Sequence, residues 1–204
     1  MQRVRELLRA GDLPGHRVGA RQWEVDDVAF ASRPRLGPPM SSRTAWALIA
    51  LLGGDEPRAD LRGVRLDRLL KNRARIATAG SDAPAILASW LRHRGERLMY
   101  RADARDLLDL VADSRVMPSG VSDERSGINV GDVAEVWLRD FSQLDGLIGD
   151  YLLLPDKKGN VVVHRDELEH REAIAPLGLV IADLADWNGP REDGRVIDLL
   201  ASVR

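Results

Sequence analysis

The chain has 204 residues, 44% of them hydrophobic and 30% charged, an ordinary globular composition that can bury a real core in one domain or two small ones. It contains no cysteine, which excludes disulfides, thiolate metal sites and cysteine nucleophiles. No apolar run approaches the roughly 20 residues that span a bilayer, and the arginine-rich N-terminus lacks an apolar signal core, so a cytoplasmic location is expected.

The formal net charge of −2 hides two opposite halves. Residues 1–105 carry 20 basic against 12 acidic side chains, a net +8, and residues 106–204 carry 10 against 20, a net −10. Such a split suits a chain whose first half meets an anion and whose second half meets a basic surface, because local potential steers association. Mutual attraction of the two halves is the plainer alternative.

In chain order, Arg3 to Ala10 forms a basic helix with Val4, Leu7 and Leu8 on one stripe and Arg3, Arg5 and Arg9 around the rest. Gly11 stops it, and Asp12-Leu-Pro-Gly15 makes a turn. His16-Arg-Val18 then pairs with Gln22-Trp-Glu-Val25 across Gly19-Ala-Arg21 as a tight hairpin. Ser32-Arg-Pro-Arg-Leu-Gly-Pro-Pro39 is a linker too rich in Pro and Gly for regular structure. Ser41 or Ser42 caps a helix over Arg43–Leu52, apolar nearly all round and ended by Gly53-Gly54, which must therefore be buried.

A basic amphipathic stretch follows over Asp60–Arg75, with Leu61, Val64, Leu69 and Leu70 inside. Arg58, Arg62, Arg65, Arg68, Lys71, Arg73 and Arg75 lie outside. Gly80-Ser-Asp82 opens a helix over Ala83–Arg94, with Ser81 and Asp82 as caps. Glu96–Tyr100 alternates as a strand, Asp103 caps a helix through Ala112, and Arg115–Met117 is a short strand. After the polar loop Pro118–Gly127, Asp132–Leu138 is a strand and Phe141–Asp150 a helix. Tyr151–Leu154 and Asn160–His164, flanking Pro155-Asp-Lys-Lys-Gly159, predict a β-hairpin. Two closing helices over Ala175–Trp187 and Arg191–Val203 are broken by Asn188-Gly-Pro190.

The first stretch resembles the recognition helix and wing of MerR and excisionase-like winged helix-turn-helix domains. Leu7-Leu8-Arg9-Ala10-Gly11-Asp12-Leu13-Pro14, Arg17-Val18-Gly19 and Trp23 carry the resemblance. In that family a scaffold helix and turn precede the recognition helix, whereas here the recognition helix is under way at Met1; the buried helix Arg43–Leu52 is the candidate brace. From Thr44 onward the chain resembles AbiEi-like antitoxins of the abortive-infection type, encoded beside a nucleotidyltransferase toxin. The residues that carry this are Ser42–Leu52, Arg115-Val-Met-Pro-Ser-Gly120, Gly159–Val163, Ala175–Leu184, Gly189-Pro-Arg191 and Leu199-Leu200.

Together the resemblances imply an α+β chain: a small winged-helix module over 1–36 and a helical and mixed α/β body over 41–204 that faces a partner. They imply a transcriptional repressor of its own operon that contacts operator DNA through Gln2, Arg3, Arg5, Arg9, His16, Arg17, Arg21 and Gln22. Arginine and glutamine read guanine and adenine edges bidentately, and a wing clamps the backbone. They also imply a cognate toxin, neutralised by direct binding, and a homodimer at a twofold operator. The rival reading is an antitoxin or adaptor that binds protein and no DNA.

No enzyme, metal or cofactor site is expected. His164 and His170 with Asp166, Glu167, Glu169 and Glu172 lack a ligand spacing and read as a solvated acidic loop. Gly80-Ser81 lacks the Asp-x-Asp of a nucleotidyltransferase, and no P-loop, Ser/His/Asp signature or dinucleotide fingerprint occurs. The five tryptophans read as core anchors, with Trp46 and Trp187 the two that an interface would use.

Overall fold

The computed structural model describes residues 15–17, 23–25, 36–56, 65–128, 131–166 and 174–203. It divides into two compact units, Met1–Arg35 and Leu36–Arg204.

In the first unit, β1 (Gly15–Arg17) and β2 (Trp23–Val25) pair antiparallel, with Gly15 opposite Val25, His16 opposite Glu24 and Arg17 opposite Trp23. The expected pairing is therefore present. The basic helix over Arg3–Ala10 lies outside the described residues.

The second unit is α+β, with a mixed five-stranded sheet between two groups of helices. Helix α1 (Ser42–Gly53) starts where the sequence places it, with Ser41 Oγ accepting from the Thr44 amide, and stops at Gly54 in the left-handed region. It buries Ala45, Trp46, Ala47, Leu48, Ile49 and Leu52, which confirms the core reading of Trp46 over the interface one. Helix α2 (Leu66–Ala77) buries Leu69 and Ile76, seven residues apart on one stripe. Leu70, expected inside, stands 46% exposed because one residue around the helix turns it off that stripe. Helix α3 (Ala83–Trp90) is shorter than expected and begins after a 3-10 turn over Gly80–Asp82; neither Ser81 nor Asp82 caps it with a side chain.

The sheet contains β3 (Glu96–Arg101), β4 (Val116–Pro118), β5 (Ala134–Leu138), β6 (Leu154–Pro155) and β7 (Val161–Arg165), in the order β4-β5-β7-β3-β6. The expected hairpin between β6 and β7 does not form. Both strands pair antiparallel with β3, which lies between them, and β7 runs parallel to β5 on its other side. Helix α4 (Leu107–Ala112) starts later than the Asp103 cap implied, since that carboxylate accepts from the Arg105 amide instead. Helix α5 (Leu144–Asp150) follows a 3-10 turn over Phe141–Gln143 that Asp140 caps.

Strand alternation sorts the core into two layers. Ala134, Val136, Leu138, Val161 and Val163 pack with Leu107, Leu110, Leu144 and Leu147 from α4 and α5. The opposite face packs against α1, α6 (Leu177–Ala185) and α7 (Pro190–Ser202). Gly178 lets α6 cross α1 closely, because a β-carbon there would sit 1.9 Å from the Ile49 carbonyl oxygen. No described helix is long and apolar enough to cross a membrane.

Candidate functional site

Of the eight residues expected to contact DNA, His16 and Arg17 occupy β1, at register positions opposite Glu24 and Trp23. Gln2, Arg3, Arg5, Arg9, Arg21 and Gln22 lie outside the described residues.

The second cationic segment is better defined. Arg65 at the N-cap of α2 and Arg68, Lys71 and Arg75 within it are exposed and Arg73 is half-buried, as its amphipathic pattern predicts; Arg58 and Arg62 lie outside the described residues. Between α2, the first turn of α1 and the Gly37–Met40 segment runs a groove of about 710 Å³. The Met40 amide donates to the Trp90 carbonyl at 2.9 Å and Ser89 Oγ to the Gly37 carbonyl at 3.2 Å, so this segment is fastened to the end of α3.

Sequence reasoning missed a polar centre buried between the sheet and α6. Period-two alternation places Glu135, Trp137 and His164 on one sheet face, and parallel pairing sets Trp137 beside His164, their rings stacked 4.8 Å apart. Asp183, on α6, meets them from above. Its Oδ1 accepts from Arg94 Nε at 3.0 Å and Nη2 at 2.7 Å, and its Oδ2 accepts from Ser119 Oγ at 2.5 Å and Trp137 Nε1 at 2.8 Å. Arg94 Nη2 also reaches Asp186 Oδ2 at 2.5 Å, and Nη1 donates to the Leu91 carbonyl at 3.1 Å.

Beside this group, Glu135 Oε1 lies 2.9 Å from His164 Nε2, while Oε2 accepts from Trp187 Nε1 at 2.8 Å and the Val121 amide at 3.1 Å. His164 is thus a buried strand residue and not part of a solvated acidic loop; residues 167–173 lie outside the described residues. Trp187 is likewise spent on Glu135.

Burial alone raises the Asp183 carboxyl, but His164 and Arg94 and the hydrogen bonds from Ser119 and Trp137 outweigh it and hold the group below the ordinary carboxylate range. Burial likewise works against the Arg94 charge, and Asp183 and Asp186 outweigh it, raising the guanidinium above its usual value. Arg94, Ser119, Glu135, His164 and Asp183 are all at most 2% exposed. A reacting atom has no approach to them, so the centre fastens β5, β7 and α6 together and carries no visible chemistry. The sequence signal that could have found it is the placement of Glu135 and His164 inside otherwise apolar strands.

Comparison with known proteins adds no relative: no family model, no curated protein and no solved structure matches the chain.

Proposed function

We propose that the chain is a DNA-binding transcriptional regulator, the antitoxin of a bacterial toxin-antitoxin pair. In this reading it represses its own operon and neutralises a nucleotidyltransferase-type toxin by direct binding. The observation that carries the DNA-binding part is the antiparallel pairing of β1 with β2 directly after an arginine-rich amphipathic segment. A recognition helix followed by a two-stranded wing requires that order, with the helix reading base edges and the ribbon holding the backbone. The antitoxin part rests on the resemblance of the body and on the net −10 of residues 106–204, which suits a basic partner surface.

A titration of duplex from upstream of the reading frame, set beside an unrelated duplex at two salt concentrations, tests the first part. Regulation predicts salt-sensitive binding that prefers the upstream sequence, and Arg5→Ala removes that preference. Equal binding to both duplexes removes the regulator reading, and binding to neither leaves the protein-binding adaptor as the better reading. Co-expression with a neighbouring nucleotidyltransferase tests the second part, since an antitoxin restores growth and forms a stable complex.

A further inference from the structure

We propose that the groove between α1, α2 and the Gly37–Met40 segment is a track for the phosphate backbone of duplex DNA. The proposal rests on the reading that the protein binds DNA and assigns it a second contact surface on the body. Arg65, Arg68, Asn72 and Arg75 line one wall of the groove. Arg68, Asn72 and Arg75, 4 and 3 residues apart, share one face of α2, and Arg65 precedes them at its N-cap, so the row runs over about 15 Å. Arg43 lines the facing wall, in the first turn of α1, a turn that contains no acidic residue.

The distribution of partners decides what such a row can bind. Arg65 is paired with Asp67 at 2.8 Å, and the Arg75 guanidinium carbon lies over the Trp90 ring, 5.0 Å from its centroid. Arg43 and Arg68 meet no carboxylate among the described residues. Among the described residues no acidic side chain lines the groove, and the charged side chains that do line it are all arginines, so cations outnumber the one neighbouring carboxylate, Asp67. A single phosphate cannot reach guanidiniums spread over about 15 Å, whereas one DNA strand presents a phosphate every 3.4 Å or so of axis. Arginine suits the role because its planar fork meets two phosphate oxygens at once. The wall opposite α2 is fixed before any ligand arrives by the Met40 to Trp90 and Ser89 to Gly37 hydrogen bonds, which limits the ordering cost of binding.

The test uses the full chain and fluorescence anisotropy with the upstream duplex and an unrelated duplex of equal length, over about 50–200 mM salt. The double variant Arg43→Ala/Arg68→Ala changes two exposed side chains and keeps the wild-type thermal midpoint. It weakens binding to both duplexes by the same factor, roughly tenfold, and lowers the slope of log affinity against log salt by about 2. Unchanged affinity and slope, or a loss confined to the upstream duplex, overturns the track. Displacement of duplex by a nucleoside triphosphate at equal phosphate concentration overturns it too, in favour of a small-molecule site. The variant Arg3→Ala/Arg5→Ala separates the two proposals. If the wild type shows no sequence preference while Arg43→Ala/Arg68→Ala still weakens both duplexes, the regulator reading fails and the track stands. If the wild type binds no duplex at the lowest salt, both fail.

Discussion

Replacing Asp183 by Asn keeps the shape of the buried carboxylate and removes its charge, and so measures what the polar centre contributes. The new side chain can still accept from Arg94, and its amide can donate to Ser119 Oγ. It then turns an N–H toward Trp137 Nε1, a group that can only donate. Removing one partner of a buried ion pair costs about 3–5 kcal/mol, a large part of the roughly 5–15 kcal/mol that holds a domain together. With a urea slope of about 2 kcal/mol per molar, the far-UV circular dichroism midpoint falls by roughly 1.5–2.5 M. The double variant Arg94→Met/Asp183→Leu loses less than the sum of its single variants, because it leaves neither charge uncompensated by the other. Acid narrows the gap between Asp183→Asn and wild type. A carboxyl held lower in the folded than in the unfolded chain stabilises the fold above the unfolded value near 4. That contribution fades as pH drops through the folded value. A deficit under about 1 kcal/mol at neutral pH, or an additive cycle, would refute the account of the centre as a fastening device.

Gly178→Ala forces a β-carbon against the Ile49 carbonyl, backbone that cannot swing aside, so α1 and α6 must separate; thermal denaturation should show a loss of about 3 kcal/mol or more. Gly194→Ala, inside α7 with open space around the new methyl, should instead gain about 0.5–1 kcal/mol in the same assay. Gly120→Ala meets both a φ of +53° and the Glu135 Oε2 atom 1.8 Å away, and costs roughly 2–4 kcal/mol by denaturant titration. The Asp113 carboxyl is lowered to about 2, first by the Arg115 side-chain hydrogen bonds, against some desolvation, and further by the Arg115 amide and the Tyr151 hydroxyl. Its carboxyl carbon shift in an NMR titration should therefore turn near pH 2, and Arg115→Met should return it toward the ordinary range.

How legible each feature was depends on how local its cause is. Helix α1 was readable to within a residue because its cap, its apolar composition and its Gly53-Gly54 stop all act within the segment. The β1–β2 pairing was readable for the same reason, with two short strands and a glycine-bearing loop between them. The β6–β7 hairpin failed because its turn residues describe only the ends of the two strands. The bulk of β3 between them is a non-local fact: Met99 pairs with Val162 and Arg101 with Leu154. Leu70 failed because a two-residue choice within one apolar stripe is made by what packs on it, here Ile76 and Leu69 against the α1 side of the core. The buried centre was invisible for a similar reason, since Arg94 and Asp183 are 89 positions apart and each, alone, reads as a solvated charge. The groove was half visible: the α2 row shows in the sequence, and Arg43 on the facing wall does not.

The charge split between the halves has two physical destinations. Part of it is consumed inside the fold, where Arg94 and Arg101 of the basic half pair with Asp183, Asp186 and Asp156 of the acidic half. The attraction also runs backward, in the pair of Glu96 with Arg165. Internal neutralisation of this kind explains the burial of Arg94, but among the described residues the groove cations Arg43, Arg65 and Arg68 take no carboxylate from the acidic half. Arg65 takes its carboxylate from Asp67 on its own helix, and Arg43 and Arg68 meet none among the described residues. Keeping like charges together on one groove wall has a cost in self-repulsion, which a ligand of opposite sign relieves. Salt therefore discriminates between the destinations. The Arg94 pair is almost fully buried and resists screening, so stability should change little as salt rises over about 0.05–0.2 M, whereas any binding through Arg43 and Arg68 should fall steeply across that range.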